Sequence, residues 1–220
     1  ILRDHPDLTL SERHEFLRIV IAESERLTRL INQLLDLSKI EASGTIPRAD
    51  MPVDLAAVAR DSAAAMDQVF ATSGVTLRVE IDASPANVLG DHDRLVQVLI
   101  NLLGNAAKFA PAQNGQAQLK LSRTGDCFEL AVGDNGPGIR PKDRKVVFER
   151  FRQLGDMMND KPQGAGLGLA ISHRIVMQHG GRIWVEESPL GGALFKVSLP
   201  CAPSKGRREK GRQKPVAAVS

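Results

Sequence analysis

The 220-residue chain is 42% hydrophobic and 25% charged, which is the balance of a globular protein with room for one well-buried domain and a smaller element. Six basic residues against Glu209 put +5 into the last twenty residues and leave −2 on the rest, so the pI near 9.0 describes a solvated tail and gives no support for a nucleic-acid-binding face. Cys127 and Cys201 make neither a disulfide framework nor a zinc spacing, as in a reducing compartment, and no run approaches the roughly 20 apolar residues of a membrane span.

The first residue is Ile1 and not Met, which reads as a fragment whose membrane or sensor segments would lie elsewhere. Residues 1–44 read as helix. Thr9-Leu-Ser-Glu12 has the spacing of a capping box, after which Leu17, Val20, Leu27, Ile31 and Leu34 recur at helical intervals, with Leu30 and Leu37 widening the stripe. An amphipathic helix of this length outruns a small domain and calls for partner helices, in a hairpin or a dimeric bundle; the plainer alternative is a helix lying on its own domain. Residues 45–53, with two prolines, read as a linker.

A second helix is expected from Asp54 to about Ala71, a strand over Val75 to Ile81, and a third helix from Asp91 to Phe109 with a broad leucine face. Strands over Gln116 to Leu121 and Phe128 to Val132 follow, joined by a Thr124-Gly-Asp126 turn. Residues 139–163 are charged and aperiodic, as in a lid or binding loop. Leu167 to Gln178 then reads as a fourth helix closed by Gly180-Gly181, and Arg182 to Glu187 with Ala193 to Leu199 as a last hairpin. This order does not alternate as a doubly wound fold would. It predicts an α+β architecture, a two-layer sandwich with helices on one face of a mixed, mostly antiparallel sheet.

Three short blocks carry the chemistry. In Asn101-Leu-Leu-Gly-Asn105-Ala-Ala-Lys108-Phe109, the polar trio shares one face of the third helix, where an amide oxygen can join phosphate oxygens around magnesium and a lysine can neutralise phosphate. Taken alone, these are as readily solvated surface residues. In Asp134-Asn-Gly136-Pro-Gly138 a carboxylate at a strand end can accept a hydrogen bond from an exocyclic amine, and glycines let the backbone approach a flat ring; a plain turn has the same composition. Gly164-Ala165-Gly166-Leu167-Gly168-Leu169 opens the fourth helix, where free backbone donors and the helix dipole favour phosphate. It is neither a Walker loop nor a dinucleotide fingerprint.

Taken together, the blocks resemble the catalytic core of bacterial two-component sensor histidine kinases. The first is similar to their N box, the second to the G1 box and the third to the G2 box, while Phe148-Glu-Arg-Phe151 resembles the F box and Leu34-Leu-Asp-Leu-Ser-Lys-Ile-Glu41 the end of the dimerisation hairpin. The resemblance covers roughly residues 15–200. It implies a Bergerat-type ATP-binding sandwich over 54–200, preceded over 1–44 by part of a helical dimerisation and phosphotransfer domain and followed over 201–220 by a basic tail.

It further implies that Asn105 holds Mg²⁺, that Lys108 and residues 164–168 meet the phosphates of ATP, and that Asp134 reads adenine. Asn101, Phe109, Gly136, Gly138, Ile139, Leu167 and Leu169 would complete the nucleotide site. The segment from about Arg140 to Gln163 would be a mobile lid anchored by Phe148 and Phe151, with Arg152 near the phosphates, although Gln153 stands where many relatives have arginine. No histidine here stands in an H-box context, so the sequence contains no phosphoacceptor. The implied partners are a response-regulator receiver domain and a second copy of the chain, in the bacterial cytoplasm, with membrane contact only through segments outside this sequence. Two alternatives remain: an ATP hydrolase of the same superfamily, disfavoured because Asn101 stands where those relatives have a glutamate base, and a non-catalytic dimeric scaffold.

Overall fold

The computed structural model describes residues 9–42, 51–152 and 166–203, with only the backbone for several residues of the first helix beyond position 21. Residues 45–50, Gln153, Gly164, Ala165, the basic tail from 204, and the side chains of Leu30, Leu34 and Leu37 lie outside this description.

Helix α1 runs over Leu10–Ala42 and begins on the capping box. The Glu12 carboxylate accepts from the Thr9 amide at 2.8 Å and hydroxyl at 2.7 Å, and the Glu12 amide donates back to Thr9 Oγ1 at 3.3 Å. These bonds hold the Glu12 carboxyl below its usual pKa, the Thr9 hydroxyl contributing most. The helix passes beside α4 (Gly168–Gln178), yet Leu17, Val20, Leu27 and Ile31 remain about half exposed.

Strand β1 (Pro52–Asp54) pairs antiparallel with β3 (Asn87–Leu89) in a separate two-stranded ladder. Pro52 and Val53, expected in the linker, therefore belong to the fold. Asp54 caps α2 (Leu55–Ser73) by accepting from the Ala56 amide at 3.0 Å, and the same oxygen holds the Ala86 amide, also at 3.0 Å. The main sheet has the order β2-β4-β5-β7-β6, formed by β2 (Thr76–Ile81), β4 (Gln116–Thr124), β5 (Cys127–Asp134), β7 (Ala193–Pro200) and β6 (Arg182–Glu187). Only β2 and β4 are parallel; the other contacts are antiparallel.

Register aligns Leu119, Val132 and Phe195 across three strands, and Leu121, Leu130 and Val197 likewise, so one face of the sheet is a continuous apolar row. Helices α2, α3 (His92–Phe109) and α4 (Gly168–Gln178) cover that face. The middle helix of that layer is α3, where Leu99, Leu102 and Leu103 are fully buried, each contributing about 1.5–3 kcal/mol of transfer free energy. The opposite face is polar: Lys196 lies 3.4 Å from Glu129 and 3.3 Å from Glu186, which also accepts from the Trp184 indole at 2.7 Å. The two-layer α+β sandwich expected from the sequence is the one observed. Between β5 and α4 the expected loop contains two short 3₁₀ turns, Pro141–Asp143 and Val146–Phe148.

Candidate functional site

The end of β5 shapes the first corner of the site. Asp134 is 4% exposed, and its Oδ1 accepts from the Gly136 amide at 2.8 Å and the Ala193 amide at 3.2 Å. Oδ2 makes no hydrogen bond among the described residues. Burial raises the Asp134 pKa above the ordinary carboxylate value, outweighing the two amides that lower it. The Asp134 carbonyl also accepts from the Gly192 amide at 3.1 Å. At Gly192 the backbones lie so close that a Cβ would collide with Asp134 Oδ1 and sit 2.5 Å from the Gly136 nitrogen. Gly192→Ala is therefore expected to lower stability by about 1–3 kcal/mol and to weaken any ligand held by Asp134, as checked by thermal unfolding and calorimetry.

Asn135 secures the same corner. Its amide side chain accepts from the Gln116 amide at 2.7 Å and donates to the Asn114 carbonyl at 2.8 Å, tying the turn after β5 to the loop before β4.

Helix α3 starts where Asp91 accepts from the Asp93 and Arg94 amides at 3.0 and 3.2 Å. The Asn105 side chain, partly buried, makes no hydrogen bond to another described residue, so its amide oxygen remains available to a ligand. Lys108 is exposed enough to reach ligand, with Nζ 4.6 Å from the centre of the Phe109 ring and a pKa lowered by partial burial. Asn101 makes its side-chain contacts with α4. Its Nδ2 donates to Ser172 Oγ at 3.0 Å, and its Oδ1 lies where a Cβ on Gly168 would collide with it. Its amide joins α3 to α4.

The α4 amides at Gly168, Leu169 and Ala170 precede the first hydrogen bond of that helix, from Ile171 to Leu167, and no side chain caps them. They are left able to donate to an anion. Leu167 is 2% exposed and packs in the core, so only its backbone can serve a ligand; Leu169 and Ile139 are partly buried against the core.

Of Phe148 and Phe151, only Phe148 packs by its ring, 5.8 Å from His173 and 6.3 Å from Phe195. Phe151 is 67% exposed. Its backbone makes the connection, donating to the Gly166 carbonyl at 2.9 Å, with both residues in the left-handed region. Arg152 is exposed.

The blocks thus meet one another. Gly136 is pressed against the Phe109 carbonyl, where a Cβ would lie 2.5 Å from the oxygen; Asn101 abuts Gly168; Phe151 is bonded to Gly166; and Gly138 packs near the Gly192 carbonyl. Among the described residues no group of three His, Cys, Asp or Glu could hold a metal. Ser172, Gly192 and Ala193 lie outside the three blocks, and Asn135 lies within the second without a contact legible from the sequence. Their contacts are made across the fold and leave no local signal.

Residues 90–203 match the family described as histidine kinase-, DNA gyrase B- and HSP90-like ATPase, and residues 1–43 match the His Kinase A (phospho-acceptor) domain. The chain is 37% identical over 174 residues to the signal transduction histidine-protein kinase/phosphatase MprB of Mycolicibacterium smegmatis, covering 79% of this chain and 33% of the relative. It spans about a third of that relative's length. A solved mycobacterial sensor histidine kinase MprB superposes with a TM-score of 0.60 at 32% identity, covering 70% of this chain and 100% of the other. Full-length ShkA, solved in complex with AMPPNP, superposes with a TM-score of 0.73 at 28% identity, covering 91% of this chain and 41% of the other.

Proposed function

The chain belongs to the sensor histidine kinases, within the ATPase family shared with DNA gyrase B and HSP90, and on that premise we propose that it binds Mg-ATP as the phosphoryl donor for a histidine that this sequence does not contain. The observation that carries this reading is the mutual contact of the four boxes around α3 and the first turn of α4.

In this reading Asp134 Oδ2 accepts from the adenine amine while the Gly136 and Ala193 amides hold its other oxygen. The unpaired amide oxygen of Asn105 is suited to magnesium, which needs few protein ligands when phosphate oxygens and water supply the rest. When bound, magnesium would neutralise charge on the transferring phosphoryl group. Lys108 and the uncapped amides of α4 add positive charge around the phosphates. Asn101 cannot act as a base and is engaged with Ser172, so its part is to fix α4 against α3. With no carboxylate there to activate water, the site favours transfer over hydrolysis.

The domain proposed to hold nucleotide runs from Pro52 to about residue 200, and 1–44 belongs to the helical dimerisation and phosphotransfer element. The exposed Leu17, Val20, Leu27 and Ile31 support a second copy of the chain as partner of α1. A response-regulator receiver domain is the proposed recipient downstream, and the cytoplasm the proposed setting. Among the described residues no helix is long and apolar enough to cross a membrane.

Calorimetry with Mg-ATP on this chain should show one saturable site, and incubation with γ-labelled ATP should leave no stable label on it. Absence of binding would exclude a kinase core and favour the scaffold; rapid steady-state hydrolysis would favour a hydrolase.

A further inference from the structure

His179 closes the end of α4 and is 6% exposed, yet nothing in the nucleotide chemistry uses it. Its ring holds two backbone groups. Nδ1 lies 2.8 Å from the Ile175 carbonyl, and Nε2 lies 3.0 Å from the amide nitrogen of Asp91. A backbone amide can only donate, so Nε2 is the bare acceptor and Nδ1 carries the proton; the two partners select the tautomer. Gly90 is pressed flat on the ring, since a Cβ there would run into the imidazole.

Asp91 is the residue that caps α3. The His179 contact therefore joins the C-terminal end of α4 to the N-terminal end of α3, while Asn101 and Ser172 join the two helices nearer the start of α4. The helices are antiparallel and pinned at two points. One carries Asn105 and Lys108, and the other carries the uncapped amides of its first turn.

We propose that His179 is a positioning residue for nucleotide binding: its neutral ring pins the cap of α3 to the end of α4 and so sets the register between the metal- and phosphate-directed side chains of one helix and the phosphate-directed amides of the other. The inference rests on the nucleotide reading above and adds to it a residue that touches no ligand.

Protonation would undo the pin. An imidazolium presents Nε2–H to the Asp91 N–H, donor against donor, while the Ile175 carbonyl is satisfied in either state. The charged group facing the ring is the Asp91 carboxylate, whose attraction favours protonation; Gly90 contributes only backbone. Burial is the larger influence and sets the pKa of His179 below the ordinary 6.5, although the Ile175 bond also raises it. With a folded-state pKa lower than the unfolded one, the contribution of the neutral ring is present above 6.5 and is lost as pH falls through the folded value.

The test measures Mg-ATP dissociation constants on the whole chain from about pH 8 to about pH 5 for the natural protein, His179→Gln and His179→Leu. A glutamine oxygen can accept the Asp91 amide and does not titrate; leucine fills space and accepts nothing. The natural protein and His179→Gln should bind alike at the upper end, then diverge by roughly fivefold in acid as only the histidine loses its bond. Protonation of ATP itself affects both and divides out of the ratio. His179→Leu should bind roughly fivefold more weakly even at the upper end. Parallel pH profiles for the natural protein and His179→Gln would overturn the proposal, and that comparison decides alone if the leucine variant does not fold. Failure of the natural protein to bind at any pH would instead overturn the nucleotide reading, and this inference with it.

Discussion

Asp134→Asn should lose ATP affinity by about 100-fold or more while remaining at least as resistant to heat at neutral pH as the natural protein. An asparagine oxygen can still accept from the Gly136 and Ala193 amides, so the corner at the end of β5 keeps its shape. What changes is the other atom. Oδ2, an acceptor, becomes an N–H donor facing the adenine amine, itself a donor. Both groups are then left unpaired in a site with little water, the situation in which discrimination is largest.

The stability side follows from the direction of the pKa shift. Burial raises the Asp134 pKa above 3.8, so ionising this carboxyl opposes folding. Its favourable contribution is present below the unfolded value and is lost as pH rises through the folded one. The asparagine variant does not ionise. It should gain on the natural protein as pH rises above about 4 and hold that gain at neutrality. Thermal melts across the acid range with calorimetry at neutral pH check both halves. Undiminished ATP binding would remove Asp134 from the adenine contact.

For Asn105→Ala the expected loss is specific to the metal. In the natural protein magnesium should strengthen ATP binding by roughly tenfold or more, a ratio obtained by titrating with the metal and again with a chelator. In the alanine variant that ratio should fall close to one, with metal-free affinity nearly unchanged. The fold should survive, because Asn105 is only partly buried and its side chain makes no hydrogen bond to another described residue. Lys108, one turn along the same helix, gives the contrast: Lys108→Ala removes charge facing the phosphates and should weaken ATP with or without metal. A magnesium ratio that survives Asn105→Ala would place the metal on other ligands.

Much of this could be read from the chain because its strongest signals are local. The capping box at Thr9, the leucine stripe of α3 and the Gly-Asp turn between β4 and β5 each lie within a few residues, and each formed where the spacing put it. The ladder of β1 with β3 was missed because two three-residue strands, separated by a helix and β2, show no period at all. Asn101 was assigned to ligand by its helical phase with Asn105, and that phase is correct. What phase cannot reveal is that α4, 71 residues away in sequence, brings Ser172 against it. The two F-box phenylalanines looked equivalent as apolar residues in a polar stretch; only the fold distinguishes a ring packed on Phe195 from one turned outward by a left-handed backbone. Gly164 and Ala165 fall outside the described residues, so the loop they belong to stands on sequence alone.

The outer strands of the sheet bear on how many molecules come together. Strand β2 ends one side and carries Arg78 paired to Glu80 at 2.8 Å, with Lys120 of the next strand 3.6 Å from the same carboxylate. Strand β6 ends the other side and begins with Arg182 over the Trp184 ring and finishes at Glu187. A charged rim of this kind discourages strand-to-strand growth, because an incoming edge would have to strip water from ion pairs before forming a backbone bond. Open-ended stacking is disfavoured at both edges. The proposed self-association then falls to the exposed apolar residues of α1, a surface that would saturate once a second helix had covered it.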